Sequence, residues 1–179
     1  MKRLLLALIL LAACREEVVP ATPVAMTAES VGYFCQMNIL EHPGPKAQIH
    51  LASFPGKPLF FSQVRDAVAY LRLPEQIDTV TGTFVSDMGV ADWAEPGALN
   101  WIALDQAVFV VGSDALGGMD APEVVPFGDP AKARAFVTVH GGQIMALADI
   151  PTEALSDAPP VTVDDFAARL RALADPNGD

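Results

Sequence analysis

The chain has 179 residues, with 22 acidic and 11 basic side chains and a formal net charge of −11 at pH 7. This acidity excludes the basic surface on which nucleic-acid binding depends, so we expect no nucleic-acid partner. The length is sufficient for one domain or for two small subdomains.

The N-terminus has the order of parts found in a bacterial lipoprotein signal. Residues 2–3 are basic, and residues 4–11 are apolar but too few to span a bilayer as a helix. The sequence Leu-Ala-Ala-Cys at 11–14 then resembles a lipobox. We therefore predict that residues 1–13 are removed, and that Cys14 carries the lipid that anchors the mature protein to a membrane. The alternative is an ordinary signal peptide with a chance cysteine.

The second cysteine is Cys35, and lipidation of Cys14 would leave it without an intrachain partner. Exported proteins usually pair their cysteines, so an unpaired thiol indicates an intermolecular disulfide, a buried inert residue or a metal ligand. Residues 14–30 contain two prolines and little periodicity, which predicts a flexible tether between lipid and domain. Met26, within this tether, is expected to have no special role.

The first half of the predicted domain, residues 31–92, has the pattern of a β-β-α-β unit. Strands are predicted over 48–54 and 58–61. Ser62 is placed to cap a helix over 63–73, and a β-rich run follows over 79–88.

The second half, residues 98–152, repeats this order weakly. Strands are predicted at 100–104 and 107–111 around a tight turn at 105–106, with an extended piece at 123–127. Asp129 and Pro130 are typical of a helix start, Gly141-Gly142 of its end, and residues 143–148 of a last strand. The predicted fold class is α+β, with two small β-β-α-β subdomains packed together. Residues 153–179 are predicted to be a linker and a C-terminal helix beginning near Thr162.

The strongest chemical signal is Cys35-Gln36-Met37. If this segment is extended, the thiol and the thioether lie on one face, because residues i and i+2 of a strand do. Soft sulfur ligands select copper(I), and two of them would hold the ion weakly enough to pass it on. The alternatives are a buried, inert Cys35 and a core Met37.

Other donors are weaker candidates. Met119 lies on a loop between glycines and a proline, a location that often carries function. Met88, His50 and His140 could each supply an additional ligand, although packing or solvent exposure also accounts for each of them. Met145, in mid-strand, is expected to be core. We find no catalytic sequence motif.

Taken together, these features resemble the NosL family, the lipoprotein accessory proteins of nitrous oxide reductase. The matching segments are Cys14, Cys35 with Met37, Phe61-Ser62, 84–88, Gly118-Met119 followed by Pro126-Phe127, and 139–142. They span most of residues 33–150. The family motif commonly reads cysteine–glycine–methionine, and here Gln36 stands in place of the glycine. Met119 matches the family's second-half methionine, with Asp120 where a small residue is commoner.

The resemblance implies a membrane-anchored periplasmic copper(I) chaperone rather than an enzyme. Its partners would be nitrous oxide reductase, whose copper-sulfide site would receive the metal, and the membrane machinery that assembles it. It also implies a fold similar to organomercurial lyase. Cys35, Met37 and Met119, drawn together from the two subdomains, would hold the copper.

Two alternatives come from other functional classes. One is a thiol enzyme of the organomercurial-lyase type, which needs more than one thiol, whereas this chain offers one after lipidation. The other is a structural lipoprotein that docks the reductase without binding metal.

The lipobox gives a direct prediction. The Cys14→Ser variant should lack lipid and leave the membrane fraction, because a single acyl-bearing residue provides the anchor. Fractionation, with mass spectrometry of the N-terminal peptide, measures both properties. Membrane retention of the variant, together with a wild-type residue 14 that carries no lipid mass, would contradict the anchor.

Overall fold

The structure is a computed structural model, and it describes residues 19–156. The predicted signal peptide, Cys14 and the predicted C-terminal helix lie outside these residues. The described strands are β1 (Ala47–Leu51), β2 (Leu59–Phe61), β3 (Val80–Val85), β4 (Ile102–Ala103), β5 (Val108–Val111), β6 (Val125–Phe127) and β7 (Gln143–Met145), and the α-helices are α1 (Val64–Leu71) and α2 (Pro130–His140). Within residues 19–156, no helix is long and apolar enough to cross a membrane.

The first sheet has the order β2-β1-β3-β4, with antiparallel neighbours. Helix α1 joins β2 to β3 and buries Val64, Ala67 and Val68, which recur at helical spacing. These side chains join Ile49 and Phe61 in the main hydrophobic core. The predicted β-β-α-β unit of the first half is therefore present.

The second sheet has the order β6-β5-β7, and α2 joins β6 to β7. In both sheets the first strand of the unit lies between the second and the third, so the two halves share one β-β-α-β topology. The predicted fold class is confirmed. Asp129 caps α2 as predicted, since its carboxylate accepts a hydrogen bond from the Ala131 N–H at 2.7 Å. Gly141, at a φ of 68°, ends the helix.

The predicted placement of strand 100–104 in the second half is wrong. Its observed part, β4, pairs with β3 of the first sheet, so the second unit begins only at β5. The predicted turn at 105–106 belongs to a 3-10 helix, Leu104–Gln106. A two-residue strand carries too little pattern to indicate which of two sheets it joins.

The N-terminal segment also differs from the expected flexible tether. The Ala21 N–H donates to the Thr81 carbonyl at 2.9 Å, and Val24 exchanges two backbone hydrogen bonds with the Gln48 side chain. Met26 is only 4% exposed. Residues 21–26 thus cover the face of β1 that carries Gln48. At Val24, the side-chain amide of Gln48 takes the place that the backbone of a partner strand would have, so the sequence shows no strand periodicity there.

The C-terminal end of the described chain returns to the first unit. A 3-10 helix, Thr152–Leu155, packs against α1 and buries Leu155. The Arg72 guanidinium, just after α1, donates to the carbonyls of Ile150 and Leu147 at 2.7 and 3.0 Å. Residues 153–155 therefore pack with the domain, whereas the sequence predicts that they belong to a linker.

The buried N-terminal segment can be tested by mutation. Met26→Ala should lower the free energy of unfolding by about 2–5 kcal/mol, the usual cost of truncating a buried methionine. Val19→Ala is a matched control, since Val19 is 76% exposed and should change stability by less than about 0.5 kcal/mol. Urea unfolding of the mature protein measures both. Equal, small effects would show that the segment is a free tether.

Candidate metal centre

Cys35 lies in a turn and not in an extended strand. The turn is closed by a bridge between Val31 and Asn38, and Gly32 is bridged to Phe60 in β2. Gln36 has a φ of 56°, which reverses the chain between the two sulfur residues. The predicted extended geometry of Cys35 and Met37 is therefore wrong, and the i, i+2 argument does not hold.

The left-handed backbone at Gln36 gives the turn its shape. A non-glycine residue held there costs on the order of 1–2 kcal/mol, so glycine is the residue best suited to the position. In this chain the Gln36 amide donates to the Tyr33 carbonyl at 2.6 Å, and its backbone N–H donates to Gly32 at 2.8 Å. These bonds offset part of the strain and keep Cys35 and Met37 in place.

The thiol of Cys35 is partly exposed and is free of any disulfide. Its Sγ lies 2.9 Å from the Ser62 hydroxyl. Gly32 permits this approach, since a Cβ there would clash with the Cys35 sulfur and lie 2.9 Å from Ser62 Oγ. Ser62 is therefore a partner of the thiol; the predicted helix cap at Ser62 is wrong, because Gln63 occupies the N-cap position.

Met119 lies on a tight loop of the second half. A bridge between Leu116 and Pro122 closes the loop, and Asp120 has a φ of 56°. The Met119 N–H donates to the Gln63 side-chain oxygen at 3.1 Å. Gly118 lies so close to the first unit that a Cβ there would be 3.0 Å from the Ser62 carbonyl.

The Cys35 turn and the Met119 loop thus both attach to Ser62-Gln63, the junction between β2 and α1. Cys35 binds the Ser62 hydroxyl, and the backbone of Met119 binds the neighbouring Gln63 side chain. Met37 and Met119 are each 41% exposed. Residues more than eighty positions apart are therefore brought to one place with their thioethers accessible.

A buried carboxylate, which sequence reasoning missed, holds the two halves together. Glu123 is 2% exposed and accepts hydrogen bonds from the backbone N–H groups of Val64, Arg65 and Val124 at 3.3, 3.0 and 2.8 Å. It therefore caps α1 from the other unit, because its oxygens accept hydrogen bonds from the first N–H groups of the helix. Burial raises the pKa of Glu123 to about 8, although these N–H donors oppose the shift.

Lys46 is the second buried charge, at 1% exposure. Its ammonium donates to the carbonyls of Pro43 and Gly44, both at 2.7 Å. Burial lowers the pKa of Lys46 to about 8, while attraction to Glu123 and Cys35 opposes the shift. A cation within electrostatic reach of Cys35 would offset the negative charge of a thiolate ligand.

The structure does not bring the three additional candidates to the Cys35 turn. His50, on β1, bonds Gln48 at 2.8 Å and is 3% exposed, and burial lowers the pKa of its ring. His140 bonds Asp114 at 2.8 Å, and it lines a cavity with Met88. Met145 is partly buried against the main core, as expected.

A histidine that sequence reasoning set aside is closer to the candidate centre. The ring Nδ1 of His42 lies 2.8 Å from the Gly118 carbonyl, next to Met119. Its Nε2 is buried without a hydrogen-bond partner among the described residues. The signal was weak, since His42 stands alone in a proline- and glycine-rich loop. Within residues 19–156, no three His, Cys, Asp or Glu side chains form a metal cluster.

The NosL family model matches residues 23–155. The chain belongs to the NosL family. The matched range contains the Cys35 turn, the Ser62-Gln63 junction and the Met119 loop, so the expected family membership is confirmed.

Several NosL proteins are similar over most of their length. The copper-binding lipoprotein NosL of Achromobacter cycloclastes is 53% identical over 182 residues, which cover 96% of this chain and 93% of that protein. The one from Stutzerimonas stutzeri is 29% identical over 76% of this chain and 70% of its own. The crystal structure of the copper chaperone NosL from Shewanella denitrificans superposes with a TM-score of 0.68 at 30% identity, covering 73% of this chain and 96% of that one.

The buried Glu123 predicts a specific pH dependence. The folded carboxyl, with a pKa near 8, keeps a proton that the unfolded carboxyl, with a pKa near 4.5, has released. Stability should therefore fall as pH rises from 5 to 8, relative to Glu123→Gln. Lys46 adds the opposite slope only above pH 8.

Urea unfolding at pH 5, 6, 7 and 8 measures the difference. Glu75→Gln is the matched control, because Glu75 is exposed and its substitution should give a curve parallel to the wild type. A Glu123→Gln curve that also ran parallel to the wild type would show that Glu123 is ionised throughout this range.

Proposed function

We propose that this protein is a copper(I) chaperone, anchored in the periplasm by lipid on Cys14, that supplies copper to the copper-sulfide site of nitrous oxide reductase. Two supports come from similar proteins, which are a copper-binding lipoprotein in two cases and a copper chaperone in a third. The third is the placement of soft donors on two loops that meet.

Copper(I) would be bound by the Cys35 thiolate and the Met37 and Met119 thioethers. The observation that carries this assignment is the attachment of both loops to Ser62-Gln63. Sulfur donors of this type select copper(I) over harder cations. Only one of the three ligands is charged, so the ion is bound less strongly than at a site with several thiolates. It can therefore be transferred to another protein.

The surroundings of the thiol suit transfer to another protein. Tyr33 and Phe34, in the same turn as Cys35, are 42% and 49% exposed, and Leu40 is 45% exposed. Exposed apolar residues around a functional group favour contact with a partner. A client could therefore cover the copper and exclude water while its own ligands replace those of the chaperone.

The membrane machinery that assembles the reductase would be the second partner. A lipid on Cys14 would confine the domain to the membrane surface, which raises its effective concentration near membrane-bound partners. Removal of residues 1–13 takes away Lys2 and Arg3 and changes the net charge from −11 to −13, which keeps the domain soluble there.

A copper(I) titration against a competing chelator tests the ligand set. Cys35→Ser should abolish tight binding, because it removes the only thiolate of the proposed ligand set. Met119→Leu should weaken binding by about 10–100-fold while leaving thermal stability almost unchanged, since the shape is kept and the sulfur is lost. Met145→Leu, which changes a methionine of β7, is the matched control and should bind like the wild type.

Other outcomes would point to other functions. A Met119→Leu protein that binds copper(I) like the wild type but unfolds several kcal/mol more easily would show that Met119 is a packing residue. Wild-type protein that binds no copper(I) yet retains the reductase on a column would be a docking lipoprotein. Release of mercury from an organomercurial substrate would indicate the lyase activity.

A further inference from the structure

A second group of metal-binding side chains lies outside the Cys35 turn. A cavity of about 440 Å³ is lined by Met88, Trp93, Asp114, Leu116, Phe136 and His140, among others. Met88 follows β3, Asp114 follows β5, and Phe136 and His140 lie on α2. Three separate parts of the chain therefore converge on one space that contains a thioether and an imidazole.

His140 is oriented as a metal-binding histidine would be. Its Nδ1 lies 2.8 Å from a carboxylate oxygen of Asp114, so in the neutral ring Nδ1 carries the proton and Nε2 carries the lone pair. The Asp114 N–H in turn donates to the His140 carbonyl at 3.0 Å. A carboxylate behind an imidazole fixes the ring and strengthens it as a ligand.

Aromatic rings form one side of the cavity. Phe136 stacks on His140 with the ring centroids 4.3 Å apart, and Trp93 stacks on Phe136 at 6.2 Å. Phe136 therefore covers one face of the His140 ring and restricts its rotation, while the His140 side chain remains 40% exposed and so accessible from solvent. An ion can therefore reach the imidazole from solvent, and the aromatic rings provide an apolar wall beside it.

The charge around the cavity suits a cation. Asp114 supplies a carboxylate, and His140 is the last residue of α2, where the helix dipole also favours positive charge. The two donors, a thioether and an imidazole, are the pair that accepts copper(I) and discriminates against hard cations.

We infer that Met88 and His140 form a second copper(I) site, with Asp114 as the positioning residue. Both ligands are neutral, so this site binds more weakly than one that contains the Cys35 thiolate. Leu116, in the wall of the cavity, and Met119 belong to the same short loop. The cavity would therefore hold an additional ion near the proposed Cys35 site. Met88 and His140 would bind that ion and would not serve as further ligands of the Cys35 site.

Anaerobic titration of the mature protein in detergent, with copper(I) and a competing chelator, tests this inference. The wild type should bind two equivalents, the second more weakly. Met88→Leu and His140→Gln should each lose the second equivalent and keep the first. Asp114→Ala should weaken the second by about 10–100-fold. Cys35→Ser should lose the tight equivalent and keep the weak one, so the two sites fail separately.

A second measurement follows the methionine methyl groups by NMR. Silver(I), a redox-stable substitute for copper(I), should shift the Met88 methyl resonance in the Cys35→Ser protein, and the shift should vanish in His140→Gln. Met145 provides the internal control and should not shift. A single equivalent in the wild type, two unchanged equivalents in Met88→Leu, or an unshifted Met88 methyl would each overturn the second site.

Discussion

The capping of α1 by Glu123 is the interaction on which the candidate centre depends. The carboxylate belongs to the second half, and the N–H groups it binds, those of Val64 and Arg65, begin the helix of the first half. This contact fixes the second half directly beside Ser62-Gln63, where Cys35 is also held. Separation of the two halves would leave these N–H groups and the Glu123 carboxyl without their hydrogen-bond partners. The loss of these bonds would lower the stability of the fold.

Each sulfur-bearing loop contains a residue in the left-handed region, Gln36 in one and Asp120 in the other. The chain reverses sharply at these two residues, so the backbone of each loop forms hydrogen bonds within the protein. The side chains of Met37 and Met119 remain exposed. Strain of this kind persists only where the surrounding contacts hold it. Hydrogen bonds to Tyr33 and Gly117 supply those contacts, so the shape of each loop is set before any metal arrives.

The sequence was sufficient to predict the repeated β-β-α-β topology, the cap and end of α2, and family membership, because each rests on local periodicity, turn residues or motif order. It could not indicate that β4 joins the first sheet or that Met26 is buried, since both depend on long-range pairing. Glu123 and Lys46 were missed for a related reason. Charged residues next to prolines suggest surface loops, and only tertiary contacts show that both are buried.

The buried charges also bear on how a transferable site can be stable. Lys46 attracts Glu123 when that carboxyl is ionised, and it attracts Cys35 when that side chain is a thiolate. In the proposed site, a thiolate and a copper(I) ion would add no net charge together, so loading would leave this balance intact. An empty site with a thiolate adds one negative charge, which Lys46 partly neutralises. With this ligand set, the proposed carrier would pass between loaded and empty states without a large electrostatic cost.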